Sequence, residues 1–144
     1  MRCNIMQDKI SKQKISKNFY LDEFLCKCGK CLYSKHNVGI DDLVELAFMI
    51  KLQRIRDDFG LPMSPTSGSR CRAYNKSIGG AIDSGHIVDE KLPGRAVDIS
   101  TVNYSEGEKY ELLRLALKNG MRGIGIGKTF IHVDLKNRRA YWTY

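Results

Sequence analysis

The sequence predicts one α+β domain: an antiparallel sheet with helices on one side. Three observations carry this expectation. The chain has 144 residues, the size of one ordinary domain, and it can bury roughly two thirds of its unfolded surface. Two segments, 43–59 and 105–117, repeat apolar residues at helical spacing. Three short apolar segments beyond residue 123 read as strands. A hydrophobic fraction of 42% excludes an intrinsically disordered chain. Mean hydropathy is −0.35, and no stretch approaches the ~20 apolar residues of a membrane span. No membrane insertion is expected.

Residues 1–17 are polar and basic and read as a flexible arm, with one domain over 18–144. That domain opens at NFYLDE (18–23), followed by Cys26, Cys28 and Cys31. Asp41 and Asp42 offer an N-cap and suit the helix dipole. Leu43, Leu46, Ala47 and Ile50 form one helical stripe, and Phe48, Leu52, Ile55 and Phe59 a second. Two stripes predict a helix buried on much of its circumference. Gly60 and Pro62 stop it. Residues 63–93 are loop-rich, and long loops in compact domains carry function. A strand is predicted at 95–99. Ser105 and Glu108 form a capping box, and the helix they open ends at Asn119-Gly120. Strands follow at 124–127, 130–135 and 140–143, the last two expected as a hairpin turning at 136–138.

Net charge is +8, from 24 basic and 16 acidic residues. That balance favours anionic partners such as nucleic acid or cell-wall polymer, or it serves solubility alone. Five cysteines, an odd number, and an opening without an apolar core argue against export and a full disulfide framework. The expectation is a monomer, cytoplasmic as synthesised.

Chemistry concentrates in two segments, SGHIVDEKLPGRAVDIS (84–100) and FIHVDL (130–135). They hold two of the three histidines. His86, Asp98 and His132 are good ligands for a borderline divalent ion such as zinc. Three protein ligands leave a fourth position open, which is the catalytic pattern. Along the strand, His132 and Asp134 share one face, and Ile131 and Val133 the other. The same residues also fit a solvated strand face, with Asp98 capping a turn. Gly120, Gly123, Gly125 and Gly127 are followed by a strand and not by a helix, so no phosphate loop is expected.

This pattern resembles the zinc D-Ala-D-Ala carboxypeptidase family, of the lysostaphin and hedgehog fold group. The family core is Ser-x-His-x-x-Gly-x-Ala-x-Asp with a later histidine. Here Ser84, His86, Gly94, Ala96, Asp98 and His132 match it. SGSRCRAYNKSIGGA (67–81) resembles the segment before the zinc histidine, and NFYLDEFLCKCGKC resembles phage and prophage members. Two features depart from the pattern. Seven residues (87–93) stand between His86 and Gly94 where two are usual, so a loop must bulge out. Thr129 stands where many relatives carry an acid, three positions before the last zinc histidine.

The resemblance implies a zinc D,D-peptidase, carboxypeptidase or endopeptidase, acting on peptidoglycan stem peptides. A cell-wall lysin of this kind needs a holin or a virion to reach the wall. His86, Asp98 and His132 become the metal ligands. Asp134 is either the general base or the group that holds a histidine ring or an arginine. Arg70 matches the arginine that faces the substrate, with a surface arginine as the alternative. Ser84 either hydrogen-bonds near the site or shapes a turn. The rival reading is a non-catalytic zinc module of the same fold that binds cell wall or another anionic polymer. Nucleic-acid binding ranks below both.

Cys26, Cys28 and Cys31 are spaced for a second, structural zinc, with His36 or Cys71 as fourth ligand. Reduced surface cysteines or a single disulfide are the alternatives.

Overall fold

The computed structural model describes residues 13–144. Most of the expected arm lies outside these residues. Its last part does not: Lys14–Ser16 (β1) pairs antiparallel with Phe19–Tyr20 (β2). Gln53 ties this hairpin down, accepting from the Ser16 hydroxyl at 2.8 Å and the Asn18 N–H at 3.1 Å. Structure therefore begins ahead of residue 18.

The long helix expected from residue 43 is broken. Ile40–Leu43 (α1) holds Asp41 and Asp42 in its first turn, and Gly39 occupies the N-cap. Val44 and Glu45 are extended, and Leu46–Phe59 (α2) follows. The break has a partner: Gly94 donates to the Leu43 carbonyl at 3.0 Å and accepts from Glu45 at 2.8 Å. Only one of the two stripes is consistently inside. Phe48, Leu52 and Ile55 are buried, whereas Leu46 and Ile50 are exposed. Each fully buried side chain of this size contributes roughly 1.5–3 kcal/mol. Gly60 ends α2 with φ of 74°, a left-handed C-cap.

Pro65–Ser67 (β3) and Arg72–Ser77 (α3) lie in the stretch read as loop. Ala96–Ser100 (β4) follows. Ser105 then caps Glu106–Lys118 (α4) through the expected reciprocal box, with bonds of 3.2 and 2.8 Å to Glu108. The chain ends in Gly123–Ile126 (β5), Phe130–Asp134 (β6) and Ala140–Thr143 (β7).

The sheet order is β3-β4-β6-β5-β7. Its neighbours are antiparallel except β5 and β7, which run parallel. The expected β6–β7 hairpin does not form. β4 and β5 already occupy both edges of β6, so β7 passes on to the free edge of β5. One face of the sheet packs Val97, Ile99, Ile124, Ile131 and Val133 against α2 and α4. The other face carries the polar residues of β4 and β6. No helix among the described residues is long and apolar enough to cross a membrane.

Candidate metal centre

Strand pairing builds the centre. β4 and β6 run antiparallel with Asp98 directly opposite His132 and Ala96 opposite Asp134. Alternation sends Val97, Ile131 and Val133 to the core, so Asp98, His132 and Asp134 share the opposite face. His86 arrives from the loop before β4. Its position is fixed by backbone on both sides: Arg70 N–H donates to the His86 carbonyl at 2.7 Å, and Arg95 N–H to the Gly85 carbonyl at 2.9 Å. The longer interval to Gly94 leaves this histidine in place. Residues 89–92 close as a tight turn, with the Asp89 carboxylate accepting from the Lys91 and Leu92 N–H groups.

Three donor atoms converge. His86 Nε2 lies 3.1 Å from Asp98 Oδ1 and 3.1 Å from His132 Nδ1, and the last two are 2.9 Å apart. All three residues are buried. The outer nitrogens decide the tautomers. His86 Nδ1 sits 2.6 Å from the Gly68 carbonyl, which only accepts, so Nδ1 carries the proton. His132 Nε2 sits 2.8 Å from Asp134 Oδ2, again an acceptor. Both inward nitrogens therefore present lone pairs to each other and to a carboxylate. Three lone pairs at this spacing, shielded from water, repel unless a cation lies among them. The donor set of two imidazoles and one carboxylate fits zinc.

Arg70 is pinned. Its guanidinium donates to Ser67 Oγ at 3.0 Å, Asn75 Oδ1 at 3.3 Å and Asp98 Oδ2 at 3.2 Å. That occupies one Asp98 oxygen and leaves Oδ1 for the centre. Burial alone would raise the Asp98 carboxyl, but the hydrogen bonds and positive charge that His132 and His86 supply when protonated outweigh it and hold it below the usual carboxylate range. Burial pushes the His86 pKa down. For His132 burial acts the same way, but the bonds to Asp134 and Asp98 overcome it and raise the pKa.

Asp134 is fully buried behind the His132 ring. Besides His132, it accepts from Lys136 N–H at 3.0 Å and from both Arg138 amines, at 2.7 and 3.0 Å. Gly123 stands opposite it in β5, and a Cβ there would collide with the carboxylate. Ser84 Oγ accepts from His86 N–H at 3.2 Å and shapes the turn into that histidine. Thr129 is exposed, and its carbonyl accepts from Thr101.

A family model described as Peptidase M15 matches residues 17–134. The chain belongs to the peptidase M15 family. This is the zinc D-Ala-D-Ala carboxypeptidase family that the motif resembles, and its members are zinc-dependent metallopeptidases. No curated protein matches the sequence. In this M15 chain the centre opens on a cavity of about 600 Å³. Its wall carries basic Arg70, Lys136 and Arg138 and aromatic Phe130, Trp142 and Tyr144. Trp142 lies on β7, among basic and aromatic residues whose pattern fits either a glycan or nucleic-acid contact or the close of a hairpin. It stacks beside His132, ring centroids 5.1 Å apart, because β7 runs next to β5 and sets Trp142 opposite Gly125. The parallel pairing that places it has no local sequence signal.

A second cluster lies apart from this centre. Sulfur atoms of Cys26, Cys28, Cys31 and Cys71 all fall within 4.8 Å of one another. His36, the other candidate fourth ligand, is not among them; its Nε2 pairs with Asp22 at 2.6 Å. Burial pushes the Cys26 thiol up to about 12, and a hydrogen bond with Ser34 draws Cys28 down to about 6.

Proposed function

We propose that the protein is a zinc D,D-peptidase that hydrolyses peptidoglycan stem peptides, as a phage or prophage cell-wall enzyme. The observation that carries this reading is the convergence of His86 Nε2, Asp98 Oδ1 and His132 Nδ1 at the cavity. When bound there, zinc supplies Lewis acidity towards a scissile carbonyl and lowers the pKa of water towards ~7.

The chain's own residues do the rest. Asp134 fixes the His132 tautomer and adds basicity to the ring. Its oxygens are filled by N–H donors on the far side of that ring, so we assign it orientation rather than proton transfer. Arg70 holds Asp98 to one free oxygen while its guanidinium borders the cavity. Arg70, Lys136 and Arg138 give the wall positive charge, which suits the carboxylates of a stem peptide. Ser84 sets the turn that delivers His86.

One observation favours the rival, a non-catalytic zinc module. Thr129 replaces the usual acid, and Asp134 is committed elsewhere. Incubation of zinc-loaded protein with purified peptidoglycan, followed by mass spectrometry of muropeptides, separates the two. Loss of terminal D-Ala is the carboxypeptidase outcome, and loss of cross-links the endopeptidase outcome. Unchanged muropeptides with zinc bound would establish the rival.

A further inference from the structure

We propose that Cys26, Cys28, Cys31 and Cys71 bind a second zinc ion, which clamps the N-terminal segment to the strand-and-turn segment 67–71 beside the first centre. Four sulfurs within 4.8 Å of one another supply the closed four-ligand shell of a structural zinc. All four are free thiols.

The backbone around them is arranged for thiolates. Cys28 Sγ accepts from the Lys30 and Cys31 N–H groups, both at 3.3 Å. Cys26 Sγ accepts from Cys71 N–H at 3.3 Å, and Cys71 Sγ from Tyr74 N–H at 3.4 Å. Hydrogen bonds to a charged acceptor are about twice as strong as neutral ones. Four such donors aimed at three sulfurs stabilise anionic sulfur. A tetrathiolate around one divalent ion keeps a charge of −2, and Lys27, Lys30 and Lys35 in the same loop offset it.

Position gives the clamp its purpose. Three ligands come from the loop after Phe24, and the fourth follows Arg70 directly. Between them, Ser69 N–H donates to the Phe24 carbonyl at 3.0 Å. Gly68 lies against the Phe24 backbone, so closely that a Cβ would overlap it. The Gly68 carbonyl in turn takes the His86 Nδ1 proton at 2.6 Å. An ion at the cysteines therefore holds the segment that orients one ligand of the other centre and carries Arg70.

The test is metal content with a spectroscopic readout, on the full chain. Zinc-loaded wild type should hold two ions per chain, and Cys71→Ser one. In the cobalt-substituted wild type, sulfur-to-cobalt charge-transfer bands should appear in the near ultraviolet. They should persist in His132→Ala, which removes a ligand of the other centre only. A cobalt-loaded wild type without those bands would overturn the proposal, and so would a disulfide between any two of the four cysteines in freshly isolated protein. The cobalt spectrum of the wild type decides the question even where Cys71→Ser fails to fold. One ion in wild type and none in His132→Ala also refutes the cysteine site while leaving the peptidase centre intact. One ion in both, with the sulfur bands present, does the reverse.

Discussion

His132 Nε2 donates to Asp134 Oδ2 at 2.8 Å, from the ring edge opposite the nitrogen that faces Asp98 and His86. The proposed role of Asp134 as a positioning residue rests on this relationship. Asp134→Asn keeps the size and an acceptor oxygen but removes the charge that raises imidazole basicity. Loss of such a carboxylate costs about 10–100-fold in metal affinity or activity. Zinc affinity, measured against a competing chelator, should fall in that range. A variant that binds zinc as tightly as wild type yet does not hydrolyse substrate would return Asp134 to the role of general base.

The proposed role of Arg70 starts from its bond to Asp98 at 3.2 Å. Its fork reaches Ser67, Asn75 and Asp98 together, a geometry that lysine's single ammonium does not reproduce. Arg70→Lys should therefore weaken zinc binding by about tenfold or more, at the level expected for an outer partner of a ligand. Calorimetric zinc titration reads this directly. If KM rises while zinc affinity stays put, Arg70 acts on the substrate alone.

Gly123 predicts a purely steric effect. A methyl group there meets the Asp134 carboxylate, which is held by four hydrogen bonds and has no room to yield. Overpacking of this kind costs roughly 1–3 kcal/mol, a fall in Tm of several degrees for a domain of this size. Gly123→Ala should show that fall in the metal-free protein and weaker zinc binding as well. An unchanged melting curve would mean that β5 and Asp134 are not in the contact described.

The residues of the proposed metal centre were legible in the sequence because their signals are local. His132 and Asp98 sit on apolar strands whose alternation puts them on the face away from Val97, Ile131 and Val133. The Ser105–Glu108 box and the Gly60 stop are local signals too, and both stand in the structure. The order of β6, β5 and β7 was not legible, because pairing depends on which strand edge is free and not on the turn between neighbours. The break at Val44 and Glu45 was hidden for a similar reason. It is stabilised by Gly94, 50 residues along, and an unbroken apolar run conceals such a partner. Cys71 and His36 were both candidates to complete the cysteine cluster, and only the fold chose Cys71. Asp134 carried the right residue type, but its role depended on which ring nitrogen it met.

His132→Ala tests the centre as a whole. The imidazole contributes one of three donors and is the pivot between Asp98 and Asp134. Without it, two donors remain, too few for a catalytic zinc site. Asp134 loses one of its four N–H partners but keeps Arg138, so the sheet should still form, with circular dichroism close to wild type. Hydrolysis of peptidoglycan should vanish, and zinc content should drop by one ion per chain from the wild-type value. A variant that keeps the full wild-type zinc content would remove His132 from the ligand set, and with it the assignment of β6 as the strand that closes the site.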